Sequence, residues 1–418
     1  MDIKNLIITI VGLAKSGQAA ARLASELGAK VRITEMASAD KVNPDFIEWV
    51  RKNNICCEFG GHTEQVIQGS SFVVTSPGVP FNAQPLNWAR AAGIPVIGEL
   101  EFAYRFCPCP IIAVTGSNGK TTVTTLIGRI LAASGKKVFV GGNIGNPLSD
   151  HVMKLTKDYV AVLEVSSFQM ETIEHFHPKV AVLLNISQNH LDRHKDMEEY
   201  IQAKARIFMN QTDEDTAVLN EEDNSVMSLS ASIAAKKILF NNFQQAKSWT
   251  NPNFRAAAAA ASVFSIGSEI WNNVFKEFRG IEHRLEVVRT INGVTFINDS
   301  KSTTTEASRW ALVSLKGPII WICGGRDKNL DFSVLKDLAA TKVKKIIAIG
   351  EAAGKISDSF GEEIQVECHT KFDEAVRGAF QQAGPAGTVL LSPMCASYDM
   401  FDNFEHRGRE FKRIVNEL

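Results

Sequence analysis

The chain lacks the features that define several large classes of protein. It has seven cysteines in 418 residues, an odd number with no Cys-x-x-Cys pair, which argues against a disulfide framework or a zinc site and favours free thiols in a reducing compartment. No apolar run reaches the roughly 18 residues of a membrane-spanning helix. The apolar stretch 6–11 is too short and wrongly flanked for a signal peptide. We therefore expect a cytoplasmic protein that does not bind a membrane.

The chain also lacks an excess of either charge, since 45 Lys and Arg oppose 46 Asp and Glu. No overall field attracts nucleic acid, so nucleic-acid binding is not expected and any anionic ligand must be held by local positive charge. The apolar content of 45% and charged content of 22% are ordinary for a globular protein. A chain of this length is too long for one core and predicts two or three domains.

Strand-like runs alternate with helical runs, which predicts consecutive α/β domains with mainly parallel sheets. The first has a Rossmann-like opening: a strand at 6–11, a turn at 12–17, a helix to Leu27 and a second strand at 30–34. Ala14 breaks the G-x-G-x-x-G pattern, so NAD is disfavoured and another phosphate-bearing ligand, held as a diphosphate at the turn, is favoured. The residues expected at this ligand are Lys15, Ser16 and Gly17, with Glu35, Ser76 and Gly78 at the same sheet edge.

The second domain opens with a phosphate-binding loop. A strand at Pro110–Val114 leads through Gly116 and Gly119 to Lys120 and a helix that we place at 123–133. Glycines allow backbone N–H groups to approach phosphate, and the helix N-terminus and the lysine add positive charge. Val114 stands where the first glycine of the usual pattern would be, so a simple βα turn is the alternative. The expected ATP-binding residues here are Gly116, Ser117, Asn118, Gly119, Lys120, Thr121 and Thr122.

Other polar residues follow predicted strands and are expected to face a crevice. Glu164 and His190 end two strands of the second domain, where ligands collect in open parallel sheets; they are candidate Mg²⁺ ligands, the alternatives being a capping carboxylate and a hydrogen-bonded histidine. In the third domain, Lys301, Lys328 and Ser397 should converge on one crevice that suits a dicarboxylate or phosphate ligand; the alternative is that the lysines are solvated on surface loops. Arg284, near a hinge, offers a guanidinium to phosphate.

The motifs taken together resemble the Mur ligase family over essentially the whole chain, in order. They are Thr115–Thr122, Gly141–Gly145, Glu164–Gln169, Asn185–Ser187 with His190–His194, Ala203-Lys204, His283-Arg284, Asn298–Lys301 and Ser392–Ser397. The run Cys395–Gly408 is most similar to members that add D-glutamate. The resemblance implies three domains, at 1–100, 101–281 and 282–418, which bind a UDP substrate, ATP and an amino acid.

The resemblance also implies an activity and a set of roles. An ATP-dependent ligase of peptidoglycan synthesis would join D-glutamate to UDP-N-acetylmuramoyl-L-alanine through an acyl phosphate, as a monomer. Catalysis would depend on Lys120, Glu164, His190 and a carbamylated Lys204. Two Mg²⁺ ions would be held by Thr121, Glu164, His190 and Lys204. ATP would contact Arg284, Asp299 and Lys301, the nucleotide-sugar Asn143, and D-glutamate Thr303, Lys328, Ser397 and Phe404.

Three departures from the family pattern leave alternatives open. Asn189 replaces the usual Asp, Thr304 replaces an Asn, and Asn251–Arg255 replaces the element that contacts adenine, so recognition of adenine is in doubt. Recognition of uracil is equally open at Glu35 and Met36. The alternatives are a ligase of this family or of the folylpolyglutamate type with another acceptor, a nucleotide-binding protein without ligase activity, and an NAD-dependent enzyme.

Overall fold

The structure, a computed structural model, describes residues 1–187, 194–327 and 330–418. The strands are β1 Ile7–Val11, β2 Lys30–Glu35, β3 Cys56–Phe59, β4 Phe72–Thr75, β5 Val96–Gly98, β6 Ile111–Thr115, β7 Lys137–Gly142, β8 Tyr159–Glu164, β9 Val180–Leu183, β10 Thr216–Leu219, β11 Lys236–Leu239, β12 Glu286–Ile291, β13 Val294–Asn298, β14 Ile319–Gly324, β15 Val343–Ile349, β16 Val366–His369 and β17 Thr388–Leu391.

The helices alternate with the strands, as the sequence pattern predicts. They are α1 Lys15–Glu26, α2 Pro44–Lys52, α3 Glu64–Ile67, α4 Gln84–Ala91, α5 Glu99–Tyr104, α6 Lys120–Ala133, α7 Ser167–Met170, α8 Met197–Ala205, α9 Asn224–Leu229, α10 Pro252–Ser262, α11 Ser268–Glu277, α12 Thr305–Ser314, α13 Lys336–Lys342, α14 Ala353–Phe360, α15 Phe372–Gln382 and α16 Phe404–Asn416. Within the described ranges, no helix is long and apolar enough to cross a bilayer.

The chain divides into an N-terminal unit, Met1–Glu277, and a C-terminal unit, Phe278–Leu418. The N-terminal unit holds two parallel sheets, with strand orders β3-β2-β1-β4-β5 and β11-β10-β9-β6-β8-β7. The C-terminal unit holds the order β12-β13-β17-β14-β15-β16. The prediction of three consecutive α/β domains with mainly parallel sheets is confirmed. The exception is β12, which pairs antiparallel with β13 at the sheet edge and was not predicted.

The strand orders place the candidate residues at topological switch points. In the first sheet β1 lies between β2 and β4, so the loops after β1 and β4 leave the same edge in diverging directions. In the second sheet β6 lies between β8 and β9. Crevices of this kind, at the carboxyl ends of parallel strands, are where open α/β sheets bind ligands. The apolar strands are buried on both faces, which fixes these loop positions.

Candidate active site

The loop between β6 and α6 has the backbone of a phosphate-binding turn. Gly119 adopts φ +84° and caps α6, which begins at Lys120, three residues earlier than the sequence predicts. At Gly116, φ is +153° and a Cβ atom would lie 3.0 Å from Leu184 Cβ. The Lys120 ammonium folds back over the loop and donates to the carbonyl oxygens of Gly116 (2.8 Å) and Ser117 (2.9 Å). Because α6 begins at Lys120, Thr121 and Thr122 lie in its first turn, where the free backbone N–H groups favour anions.

Asn185, which follows β9, holds this loop in place. Its side-chain oxygen accepts from Asn118 N at 2.8 Å, its side-chain nitrogen donates to Asn118 O at 3.1 Å, and its carbonyl accepts from Ser117 N at 2.9 Å. The sequence analysis assigned no role to Asn185. The available signal was a polar residue directly after a fully apolar strand, the same signal that singled out Glu164.

Glu164 is a buried carboxylate at the end of β8, with 2% of its surface exposed. One oxygen accepts from Thr121 Oγ1 at 2.7 Å and the other from Asn143 Nδ2 at 2.8 Å. The backbone N–H of Asn143 donates to the Glu164 carbonyl at 2.8 Å. The structure thus brings together three residues that the sequence assigned to metal and substrate. A carboxylate buried against a neutral hydroxyl and a neutral amide is well suited to receive a cation.

Lys204 projects from α8 to the same loop and is 1% exposed. Its Nζ donates to the Gly116 carbonyl at 3.0 Å and lies 4.5 Å from the centre of the Tyr200 ring. Burial holds the pKa of the Lys204 ammonium well below its usual value, and the nearby Lys120 lowers it further, whereas Glu164 acts in the opposite direction. The neutral form of the amine is therefore more highly populated at Lys204 than at a surface lysine.

Tyr200 and Ser117 join Lys204 to the loop, and the sequence analysis missed the tyrosine. The Tyr200 hydroxyl and Ser117 Oγ lie 3.1 Å apart, and the Ser117 hydroxyl donates to the Ser187 carbonyl at 3.0 Å. Tyr200 lies on α8 four residues before Lys204, so the helical period places both on one face.

Two of the predicted residues, His190 and Lys328, lie outside the described residues. The nearest described histidine to the former in sequence is His194, which is 2% exposed and has its Nε2 3.0 Å from Ser167 Oγ. Its ring packs against Phe168 and Tyr200, with centroid separations of 5.5 and 5.3 Å.

The residues assigned to the UDP substrate gather at the carboxyl edge of the first sheet. Ser76 Oγ donates to the Gly12 carbonyl at 2.9 Å, which ties the loop after β4 to the turn after β1. A Cβ on Gly17 would lie 1.9 Å from that same carbonyl oxygen, so α1 starts in close contact with the turn. The Glu35 carboxylate accepts from the backbone N–H groups of Leu13 and Ala37. Gly78 lies in open space, with no atom within 4 Å of a built Cβ.

Lys15, which is exposed, and Ser16, which is half-buried, form the start of α1. The Lys15 ammonium reaches the loop after β7, where it donates to the Gly145 carbonyl at 2.6 Å and to Asn146 Oδ1 at 3.0 Å. That loop also carries Asn143, so Lys15 links the start of α1 to the loop that contributes to the Glu164 cluster. A diphosphate at the α1 N-terminus would lie close to this ammonium.

In the C-terminal unit, Asp299 directly follows β13 and is almost fully buried. Its carboxylate accepts from Ser392 Oγ at 2.8 Å and from Leu285 N at 3.2 Å. Burial raises the pKa of Asp299 to about 6, and its hydrogen bonds from serine and from Leu285 N oppose that rise. Arg284 is exposed beside this carboxylate, where its charge also favours the ionised form.

Lys301 and Phe404 lie together, with the ammonium 5.5 Å from the ring centre. Thr303 is half-buried just before α12, and Ser397 is buried after β17. Arg407, which the sequence analysis missed, connects these segments: it is 2% exposed and donates to the carbonyl oxygens of Ser300 (3.0 Å) and Cys395 (3.2 Å). It lies one helical turn after Phe404 on α16, a spacing that brings both to one face.

The chain was compared with known families and proteins. Residues 7–98 match the Mur ligase MurD-like N-terminal domain, residues 114–278 the Mur ligase middle domain and residues 283–395 the Mur ligase glutamate ligase domain. UDP-N-acetylmuramoylalanine–D-glutamate ligases from Koribacter versatilis (38% identical) and Desulfatibacillum aliphaticivorans (39%) align over 100% of this chain and over 99% and 100% of their own length. The chain belongs to the Mur ligase family.

Solved structures share the fold over 75–99% of this Mur ligase. The MurF ligase of Thermotoga maritima in complex with ADP is 14% identical, with a TM-score of 0.59 over 93% of this chain and 95% of that one. A pseudomurein peptide ligase type C from Methanothermus fervidus is 18% identical, with a TM-score of 0.55 over 99% and 100%. A folylpolyglutamate synthase/dihydrofolate synthase from Yersinia pestis has a TM-score of 0.55 over 75% of this chain and 90% of that one. At these identities the likeness establishes the fold alone.

Proposed function

We propose that this Mur ligase joins D-glutamate to UDP-N-acetylmuramoyl-L-alanine with ATP as the phosphoryl donor. The observation that carries the proposal is its identity of 38–39% to ligases of that name, in alignments that cover 100% of this chain and 98–100% of those ligases. The MurD-like N-terminal domain supports the nucleotide-sugar substrate, and the glutamate ligase domain supports the acceptor. The NAD alternative finds no support in these relatives.

The reaction has two steps, each with a clear electrostatic demand. The carboxylate of UDP-N-acetylmuramoyl-L-alanine attacks the γ-phosphorus of ATP, and ADP leaves. The amine of D-glutamate then attacks the acyl carbon, and phosphate leaves as the amide forms. The first step brings a carboxylate to a polyphosphate, so positive charge must be concentrated where they meet. Lys120, held over the loop by two carbonyl oxygens, supplies fixed positive charge there.

A divalent cation fits the cluster of Glu164, Thr121 and Asn143. Mg²⁺ prefers a few oxygen ligands together with phosphate and water, and the Glu164 carboxylate and Thr121 hydroxyl meet at 2.7 Å beside the phosphate-binding loop. When bound, Mg²⁺ would neutralise phosphate charge. We propose two such ions, with Thr121, Glu164, His190 and Lys204 as the residues that would hold them. Asn143 orients the Glu164 carboxylate and is placed to meet the nucleotide-sugar.

We further propose that Lys204 is carbamylated in the working enzyme. Carbon dioxide reacts only with a neutral amine, and the burial of Lys204 favours that form. The product carries a negative charge, which the adjacent Lys120 and the bound cations would stabilise. Tyr200 and the Gly116 carbonyl hold the side chain in position before the reaction.

We propose the remaining substrate-binding and ATP-binding roles from the resemblance to the Mur ligase family. The diphosphate would bind at Lys15, Ser16 and Gly17, with Glu35, Ser76 and Gly78 around the nucleoside. In the C-terminal unit ATP would meet Arg284, Asp299 and Lys301, and D-glutamate would meet Thr303, Lys328, Ser397 and Phe404. We also propose that the enzyme acts as a monomer, which light scattering of the purified protein tests.

The decisive experiment measures phosphate release from ATP across a substrate panel. Release should require both UDP-N-acetylmuramoyl-L-alanine and D-glutamate, and L-glutamate or a diamino acid in place of D-glutamate should give only background. Equal use of a diamino acid would overturn the acceptor. Absence of release with every acceptor would favour a nucleotide-binding protein without ligase activity, and Lys120→Ala is the matched inactive control.

A further inference from the structure

The segment between α5 and β6 contains two cysteines, Cys107 and Cys109, whose sulfur atoms lie 3.6 Å apart. They belong to the sequence Cys107-Pro-Cys109-Pro110, which lies at the amino end of β6, whereas the candidate active site follows its carboxyl end. The Cys107 sulfur also lies 3.7 Å from the Cys109 carbonyl oxygen. Two prolines limit the backbone conformations open to this segment.

The two sulfurs differ in accessibility. Cys107 is half-buried, whereas Cys109 is buried at 7% exposure and joins the core of the N-terminal unit. A hydrogen bond from Cys109 lowers the pKa of the Cys107 thiol, against the opposing effect of burial, and the same bond raises the pKa of Cys109. The more accessible cysteine is therefore also the one whose thiol pKa is lowered, and its neighbour is a buried thiol whose pKa is raised.

We propose that Cys107 and Cys109 form a redox-active dithiol that low-molecular-weight disulfides convert to an intrachain disulfide. The Cys107 thiolate attacks one sulfur of the reagent, forming a mixed disulfide and releasing one thiolate. The Cys109 thiol then loses its proton, its thiolate attacks the Cys107 sulfur, and the second half of the reagent leaves as a thiolate that takes up that proton. Two thiols lose two electrons and the reagent gains them.

The geometry needs only a small movement. A disulfide bond is about 2.05 Å long, so the sulfurs, now 3.6 Å apart, must approach each other by about 1.5 Å. The other adjacent pair, Cys56 and Cys57, offers a contrast on β3: successive strand side chains point to opposite faces, and burial raises the pKa of Cys57 to about 12. Proximity in sequence is thus not sufficient, and reaction should be selective for residues 107 and 109.

Glutathione disulfide with the folded full-length protein tests the proposal. The intact mass should fall by two hydrogen atoms, peptide mapping should place the bond between residues 107 and 109, and dithiothreitol should reverse it. Cys109→Ser should instead gain one glutathione at Cys107, because the second attack is abolished. Cys107→Ser should gain none at Cys109, and Cys56→Ser should form the bridge as the wild type does.

Three results would overturn the proposal: accumulation of the mixed disulfide in the wild type, equal reaction at Cys109 in Cys107→Ser, or modification confined to Cys56 and Cys368. Because either serine variant could unfold, the wild type is also alkylated with limiting iodoacetamide in the native state. Cys107 should be labelled about 10-fold or more faster than Cys109 and Cys57, and equal rates would contradict the assignment.

Discussion

Replacing Lys204 with methionine should stabilise the free enzyme while abolishing its activity. The wild-type ammonium is 1% exposed, and its pKa is held well below 10.5 mainly by burial. Methionine has a similar length and buries no charge. Replacement of a buried charge by an apolar side chain of similar volume is typically neutral or stabilising by up to about 4 kcal/mol. We therefore expect an increase of about 1–3 kcal/mol in the free energy of unfolding near neutral pH.

The stability difference between Lys204→Met and the wild type should depend on pH. Because the folded-state pKa of Lys204 is depressed, the unfolded chain binds more protons between that pKa and about 10.5, and wild-type stability rises with pH across this window. Each pH unit changes the free energy by about 1.4 kcal/mol. Lys204→Met lacks this slope, so its advantage should shrink as pH rises towards 10.5.

The assay is urea unfolding in bicarbonate-free, metal-free buffer at about pH 7 and about pH 9. The exposed Lys136→Met is the matched control and should change stability by less than about 0.5 kcal/mol. Ligase activity is measured in parallel, with bicarbonate present. A destabilised Lys204→Met protein, or an advantage that does not decrease at higher pH, would refute the argument from burial. Full ligase activity would refute the proposed carbamate.

Three further changes test other parts of the structure. Glu164→Gln retains partners for Thr121 and Asn143 but removes the charge, so we expect normal folding by circular dichroism and a loss of about 100-fold or more in kcat that added Mg²⁺ does not restore. The pKa of Asp299 is about 6 in the folded state against 3.8 in the unfolded chain, so the folded state holds its proton more tightly. The free energy of unfolding should therefore fall by about 3 kcal/mol as the pH rises from below 3.8 to above about 6, and Asp299→Asn should flatten this pH profile in urea unfolding. Gly17→Ala places a methyl group 1.9 Å from a backbone oxygen and should destabilise by about 1–3 kcal/mol in urea, whereas Gly78→Ala, in open space, should not.

The alternation of apolar strands and helices was enough to predict the three α/β domains, because strands buried on both faces appear as continuous apolar runs. The strand order was not predictable in the same way. Nothing in the residues of β8 and β9 states that they flank β6, and this arrangement decides which strand ends face the phosphate loop. The edge strand β12 was missed because its side chains are only partly buried and its pattern is weak.

The candidate site shows the same division between local and long-range information. Glycine spacing and Lys120 identified the phosphate-binding loop, since that chemistry is local in sequence. The contacts of Glu164 with Thr121 and of Lys204 with Gly116 join residues 43 and 88 positions apart. Such pairs are visible only once the sheet is assembled. Arg407 and Tyr200 were missed for this reason, although each lies one helical turn from a residue that was assigned.

Burial of Glu164 and Lys204 in one crevice is itself an argument for function. Each desolvated ionisable group costs stability unless its charge is compensated, and this chain places Lys204 near both the Lys120 ammonium and the Glu164 carboxylate. A purely structural core would fill these positions with apolar residues at lower cost. An ATP-dependent ligase would gain from the arrangement because the reaction brings further negative charge, and the cations proposed to accompany ATP would compensate Glu164. Binding of substrates would then recover stability lost in the free enzyme, which predicts that ATP with Mg²⁺ raises the melting temperature of the wild type more than that of Glu164→Gln.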